Sequence, residues 1–239
     1  MTPIRIYGAD LRQIPAAACS ELLDESETRR AVAIKSPSAK MEFVKTRALL
    51  RLILAANSPE ARPQDFTFET EVNGKPYLTD DTGLHFNVSH SREMALIAVA
   101  PIPVGIDVEF QNETVDYLDV SETVFSASER DIVRNNVGNA RRDAFFTLWA
   151  RKEAYLKATG IGFSAKLDLI STIQSNGIVK DLSQASQTTT WHVIDLPVSN
   201  GYKAALVTNT NEADVSIQSI SGVEFGLLRS QHTDWRRAS

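Results

Sequence analysis

Apolar residues recur at three- and four-residue steps through Met41, Val44, Ala48, Leu49, Leu52 and Ala55, which predicts a helix with one face on a core. Ser36-Pro37 marks its start, a hydroxyl cap ahead of a first-turn proline. Arg47 and Arg51 fall off the stripe, one turn apart, where a solvated face is expected. Upstream, Ile4, Ile6 and Tyr7 suggest a short strand, and residues 15–23 and 25–34 read as short helices. Strand-like runs follow at 66–72 and 84–88, with Asn73-Gly74 and Thr82-Gly83 as turns, and again at 93–100 and 104–109 around Pro101 and Pro103. Further on, Ser126 with Glu129 three residues later is a capping box for a helix running towards Asn135. A longer helix over 141–159 carries Phe145, Leu148, Trp149 and Leu156 and meets Gly160 where a C-cap glycine belongs. Strands are expected at 167–173, 191–196, 202–208 and 215–219. Helices and a small antiparallel sheet in each half make an α+β plan, with subdomains at 1–102 and 103–239 and no residue-level repeat between them.

Composition narrows the class. Of 239 residues, 43% are hydrophobic and 23% charged, which disfavours disordered, collagen-like and coiled-coil chains. The 25 Lys and Arg against 30 Asp and Glu leave a net charge of -5, so no nucleic acid partner is expected, although a local basic pocket is allowed. Cys19 is alone, and His85, His90, His192 and His232 form no zinc pattern, so any metal must find oxygen ligands. Arg5, Asp10 and Arg12 interrupt any secretory apolar run. The longest uncharged apolar stretch, 94–106, contains two prolines and falls short of the roughly 20 residues a spanning helix needs. A cytoplasmic protein without a membrane partner is expected.

Val104-Gly-Ile-Asp-Val-Glu109 is the most informative segment. On a strand, Ile106 and Val108 face one side while Asp107 and Glu109 face the other, roughly 7 Å apart along the backbone. Taken alone, the pair suits a solvent-facing strand edge. Converging beside an apolar strand, the two carboxylates need a cation between them, and Mg²⁺ suits a few carboxylates plus phosphate oxygens and water. Glu153 and Lys157 lie one turn apart on the long helix, as an ordinary surface ion pair would. Set between Trp149, Ala154 and Leu156, they instead offer a carboxylate for a metal or a proton and an ammonium for a phosphate. Gly74-Lys75-Pro76 adds a rigid cationic turn, and Asn87-Val88-Ser89-His90-Ser91 ends a strand with hydroxyl and imidazole donors.

GKPYL, FNVSHS, VGIDVE, FSASE and WARKEAYLKATGIG occur in this order between residues 74 and 163, with the helix bearing Arg47 and Arg51 upstream. The set resembles the Sfp-type 4'-phosphopantetheinyl transferases. That resemblance implies a pseudo-dimer of two similar α+β subdomains, with coenzyme A between them as co-substrate. It implies transfer of the phosphopantetheine arm to a serine of an acidic apo-carrier protein, with release of adenosine 3',5'-bisphosphate, by a monomeric enzyme. Asp107, Glu109 and Glu153 would hold Mg²⁺, Lys157 would contact a phosphate oxygen, and Glu153 would take the serine proton. Arg47 and His90 would contact the 3'-phosphate, Ser89 the pyrophosphate, and Lys75 with Pro76 would flank adenine. Arg29, Arg30, Lys35 and Lys40 compete for a further phosphate contact, and Arg130, Arg134, Arg141 and Arg142 for the carrier. A metal-dependent phosphohydrolase and a catalytically silent carrier-binding protein are the alternatives, and the pathway served is not legible.

Overall fold

The computed structural model describes all residues but 59, 80–81, 113, 163–164, 174–175, 184–188 and 232–239, so His232 lies outside the described residues. The first half runs β1 (Thr2–Asp10), α1 (Ala16–Cys19), α2 (Glu25–Ala33), α3 (Pro37–Ala56), β2 (Phe68–Thr70), β3 (Pro76–Leu78), β4 (His85–Ser91) and β5 (Met94–Ala100). The second runs β6 (Val104–Phe110), α4 (Tyr117–Val124), α5 (Ala127–Asn135), α6 (Gly138–Thr159), β7 (Ile170–Ser171), β8 (Lys180–Asp181), β9 (His192–Leu196) and β10 (Tyr202–Thr208). β11 (Ala213–Ile220) and α7 (Gly222–Gln231) close the chain. No helix among the described residues is long and apolar enough to cross a membrane.

Two sheets form the centre, one in the order β11-β1-β5-β4 and one in the order β6-β10-β9. Their inner faces share one core, in which Ile4, Ile6, Leu96 and Ala98 meet Val104, Ile106, Val108 and Leu206. α3 covers the outer face of the first sheet, packing Leu49, Leu52 and Ile53 with Ala95, Ile97 and Val99. α6 covers the second, packing Ala150, Ala154 and Ala158 with Ala205 and Val207. The α+β plan is as expected, but the first sheet is mixed. β11 pairs in parallel with β1 from Thr2↔Ala213 to Ala9↔Ile220, and Ile220 and Phe225 join the first half's core. The end of the 103–239 segment thus crosses back and covers β1, whose edge would otherwise stay open. A cut at 102 therefore does not divide the fold into two self-contained pieces. Met41, read as the start of the apolar stripe, is exposed.

The halves repeat an arrangement that the sequence conceals. In the first, Asp24 and Glu27 form a capping box at the start of α2. Glu27 is buried and accepts from Arg51 of α3 at 2.8 Å, while the same guanidinium donates to Asp24 (2.6 Å) and to the carbonyls of Pro63 (2.7 Å) and Phe66 (3.1 Å). In the second, Ser126 and Glu129 cap α5, and buried Glu129 pairs with Lys152 of α6 at 2.9 Å. Lys152 donates to the carbonyls of Leu167 (2.7 Å) and Ile170. Each half therefore ties its long helix to a capped helix and to the chain beyond through one buried cation. Arg51 is fully buried rather than solvated, because two carboxylates and two carbonyls replace its water.

One glycine sets how closely the second sheet meets its helix. A Cβ on Gly105 of β6 would lie 2.0 Å from the Ala154 carbonyl oxygen and 2.3 Å from the Ala158 nitrogen, both backbone atoms of α6. Backbone cannot swing aside as a flexible side chain can, so Gly105→Ala should cost about 3 kcal/mol or more. A thermal melt should show Tm lower by about 6–12 °C, and a Tm within about 2 °C of wild type would contradict this packing.

Candidate active site

β4 and β6 are edge strands of different sheets, and short polar side chains join them. Asn87, Ser89 and Ser91, at alternate positions of β4, accept from the backbone N–H groups of Ile106 (2.8 Å), Val108 (3.2 Å) and Phe110 (3.0 Å). The spacing in FNVSHS is therefore first a structural one, since side chains of period two meet N–H groups of period two. The same register brings Ser89 and Ser91 to the acidic face of β6. The Ser89 hydroxyl donates to Asp107 Oδ1 at 2.8 Å. Lys157 Nζ of α6 lies 2.6 Å from that oxygen and 3.0 Å from Ser89 Oγ, closing a triangle. Asp107 Oδ2 is buried without a hydrogen-bond partner.

Glu109 follows two residues on, with Oε1 accepting from Trp149 Nε1 (3.0 Å) and Oε2 from Ser91 Oγ (3.3 Å). Trp149 is thus a hydrogen-bonding partner of the acidic set and not only its apolar neighbour. Glu153, one turn before Lys157, is buried without a hydrogen-bond partner among the described residues. Burial, then the charge of Asp107, then that of Glu109 push its carboxyl up to about 7, against the pull of Lys157. Burial and Asp107 raise Glu109 as well, opposed by the Trp149 and Ser91 hydrogen bonds and by Lys157.

Glu153 and Lys157 share a cavity of about 280 Å³ with Asn73, Gly74, Lys75 and Pro76. That loop joins β2 to β3 and seats on the C-terminus of α6. Asn73 Nδ2 donates to the Gly160 carbonyl (2.8 Å) and Lys75 Nζ to the Ala158 carbonyl (3.2 Å), where a cation suits the end of the helix dipole. Burial lowers the Lys75 pKa. Lys75 therefore caps a helix as well as lining the cavity.

The remaining expected residues are His90, on β4 facing α3, and Arg47, on α3 itself. His90 is partly exposed with Nδ1 4.0 Å from Glu42 Oε2, and burial lowers its pKa while Glu42 opposes and Lys157 reinforces the shift. Arg47 is largely buried, its Nε 3.3 Å from Glu27 Oε1 and its guanidinium 4.7 Å over the Phe68 ring and 5.7 Å over Phe43. One Arg47 nitrogen, Nη1, is buried without a partner, and Arg30 lies over the other side of the neighbourhood, 5.2 Å from Phe43. Ser89, Asp107, Glu109, Glu153 and Lys157 thus form one cluster, with Lys75 and Pro76 on its cavity. Arg47 stands apart from the cluster, beside Glu27.

A hard cation suits this charge distribution. Asp107 Oδ2 is buried and unpartnered, and Glu109 and Glu153 are both raised by burial and like charge. Among the described residues, no three His, Cys, Asp or Glu side chains gather as a metal-holding group, and both Glu109 oxygens are engaged. The expected set of Asp107, Glu109 and Glu153 is therefore not drawn into a cage. Mg²⁺ needs none, because it is bound through one or two carboxylates with water and phosphate oxygens completing its shell.

Residues 103–207, which carry Asp107, Glu109, Trp149, Glu153 and Lys157, match the family model of the 4'-phosphopantetheinyl transferase superfamily. Over those residues the chain is similar to that superfamily. HetI of Nostoc sp., a 4'-phosphopantetheinyl transferase, is 37% identical over 152 residues, 62% of this chain and 63% of HetI. The psf-1 transferase of Bacillus pumilus is 41% identical over 101 residues, 42% of each chain. Sfp of Bacillus subtilis is 30% identical over 143 residues, 59% of this chain and 62% of Sfp. The alignments span less than two thirds of each of these relatives.

The raised Glu153 pKa has a consequence for stability in protein free of divalent cation. The folded state keeps that proton up to about pH 7, whereas an ordinary carboxyl releases it near 4.5. The stability attached to the group is full below about 4.5 and is lost as pH rises through about 7. Glu153→Gln should therefore flatten the decline and be the more stable protein at neutral pH, by at most about 3 kcal/mol. Denaturant melts in chelator across that range check this, and parallel slopes for the two proteins would refute it.

Proposed function

We propose that the chain transfers the 4'-phosphopantetheine arm of coenzyme A to a serine hydroxyl of an apo-carrier protein and releases adenosine 3',5'-bisphosphate. The observation that carries this reading is the Ser89–Asp107–Lys157 triangle set beside a Glu153 whose pKa is about 7. A carboxylate poised near neutrality can accept the serine proton. The serine oxygen then bonds to the β-phosphorus, and the bond from that phosphorus to the oxygen bridging to the α-phosphate breaks. The leaving group departs as the nucleotide bisphosphate. Lys157 holds a phosphate oxygen, and its ammonium offsets charge that grows on the leaving side. Ser89 donates to the diphosphate once its hydroxyl turns from Asp107. Asp107, with Glu109 and Glu153 near it, would hold Mg²⁺, which when bound supplies further charge neutralisation on the diphosphate.

The nucleotide side falls to the residues along α3 and in the loop between β2 and β3. Arg47 and His90 would contact the 3'-phosphate, and the unpartnered Arg47 Nη1 supports an anion there. Lys75 and Pro76, on the cavity that Glu153 and Lys157 line, would flank adenine. The same reading has the protein act in the cytoplasm, as a monomer, on the two subdomains' shared cleft. A silent carrier-binding role is disfavoured by a base and an ammonium kept together with no structural need for the base.

Incubation of the protein with Mg²⁺, coenzyme A and an apo-acyl carrier protein should give the mass gain of one phosphopantetheine arm on the carrier. Coenzyme A cleaved at the same rate without any carrier would instead mark a phosphohydrolase. Lys157→Ala should lower kcat by about 10²- to 10³-fold, as loss of one donor to a developing charge does; near wild-type turnover would remove Lys157 from the chemistry.

Arg47→Ala should raise KM for coenzyme A by roughly 10- to 150-fold, the loss of one charged hydrogen bond. The change should be far smaller with 3'-dephospho-coenzyme A as donor. An equal penalty on both donors would make Arg47 a support for Glu27 and the phenyl rings of Phe43 and Phe68 rather than a phosphate contact.

A further inference from the structure

β4 and β5 are joined by a two-residue turn, Arg92-Glu93, with Ser91 paired to Met94 across it. Arg92 takes φ 50°, and among the described residues it is the one non-glycine in the left-handed region. The first position of such a turn favours glycine when φ is positive, so arginine there holds backbone strain that the turn does not need. Strain of this kind persists where the residue has another task.

The surroundings point to that task. The Arg92 guanidinium lies 3.8 Å over the Phe110 ring, and Phe110 is fixed in turn by an edge-on contact with Tyr202 at 5.3 Å. A guanidinium lying against a ring is oriented, with its N–H edge free for a planar carboxylate. Arg92 is exposed, and no carboxylate among the described residues pairs with it. Several cations of the second half, by contrast, are engaged. Arg134 pairs with Glu122, Arg130 donates to the Glu122 carbonyl, Arg141 to the Asn136 carbonyl, and Lys203 faces Asp143 at 3.6 Å.

Position selects the occupant. Arg92 lies at a cavity of about 410 Å³ whose lining includes Glu109, Phe110 and Trp149. The cavity with Lys75, Glu153 and Lys157 is a separate one, so the acidic cluster stands between the two. The diphosphate belongs with Lys157 on the first. The arm to be transferred carries no anion beyond its own phosphate. An unpaired, oriented guanidinium on the second side is therefore left to meet an anion of the acceptor, in a chain whose net charge of -5 would otherwise repel an acidic protein.

We propose that Arg92 is a specificity residue that docks a carboxylate of the acceptor protein close to its acceptor serine, an assignment that rests on the transferase reading above. The probe is an apo-acyl carrier protein, with Arg92→Gly and Arg92→Lys compared to wild type. Glycine removes the charge and relaxes the turn, so Tm should stay within about 3 °C of wild type. KM for the carrier should rise about 5- to 30-fold, with KM for coenzyme A and kcat at saturating carrier held within about twofold. Arg92→Lys should fall between the two, and the salt dependence of the carrier KM should weaken in Arg92→Gly. Direct binding of a carrier whose acceptor serine is replaced by alanine, which needs no turnover, should weaken by the same factor. Unchanged binding of that carrier to Arg92→Gly, or a rise in KM for coenzyme A instead, would overturn the docking role. Failure of the wild type to transfer anything would count against the transferase reading alone, with the binding comparison still deciding on Arg92.

Discussion

The site depends on how closely β6 passes α6 at Gly105. The atoms a side chain there would strike belong to Ala154 and Ala158, the residues directly after Glu153 and Lys157. Two residues along the strand from the same glycine is Asp107, and Lys157 reaches it at 2.6 Å. Missing side-chain volume on the strand is thus what lets an ammonium from the helix meet a carboxylate from the sheet. A looser contact would leave Lys157 short of Asp107 and let water between Glu153 and its acidic neighbours, returning its pKa towards the ordinary value.

That contact is held from both ends by polar groups in unusual places. Asn87, Ser89 and Ser91 stitch the edge strands where no backbone ladder joins the sheets, and the loop from Asn73 to Lys75 binds the last carbonyls of α6. Glu129 and Lys152 fix the middle of the same helix, as Glu27 and Arg51 fix α3. Burying these ions costs several kcal/mol each unless their partners are complete, and here the carbonyls of Phe66 and Ile170 complete them. The recurrence fixes each long helix relative to the turn beyond it, and on α6 the residue after the anchor is Glu153.

Much of this could be read from the chain. The stripes of α3 and α6, the Ser126 capping box, and the split of Ile106 and Val108 from Asp107 and Glu109 follow from local periodicity, and the structure has them all except Met41 at the start of the α3 stripe. The parallel return of β11 onto β1 could not, since a pairing across some two hundred residues leaves no local mark. The repeat between the halves was hidden because it keeps roles and changes residues, with Asp24 answering to Ser126 and Arg51 to Lys152. The burial of Arg51 is illegible for the same reason: helical spacing says which side a residue faces, not whether carboxylates wait there. Trp149 escaped notice as a polar partner because its ring also serves the apolar cluster, stacked with Phe145. Alternate Asn and Ser in β4 were a signal in plain sight, since a strand with short polar groups at every second position has something to bond.

Under the proposed reaction, the charge around Asp107 singles out one carboxylate of the three as the base. Lys157 bonds Asp107 directly, and Trp149 and Ser91 bond Glu109, whose pKa those two hydrogen bonds pull down against burial. Glu153 has none among the described residues, and burial together with the charge of both neighbours pushes its carboxyl up to about 7. Any positive charge entering the cluster lowers that pKa and frees the carboxylate. In the proposed reaction the group able to accept a proton would therefore become available when the site fills, without any movement of α6, because the helix that carries Glu153 is already fixed by Gly105 on one side and Lys152 on the other.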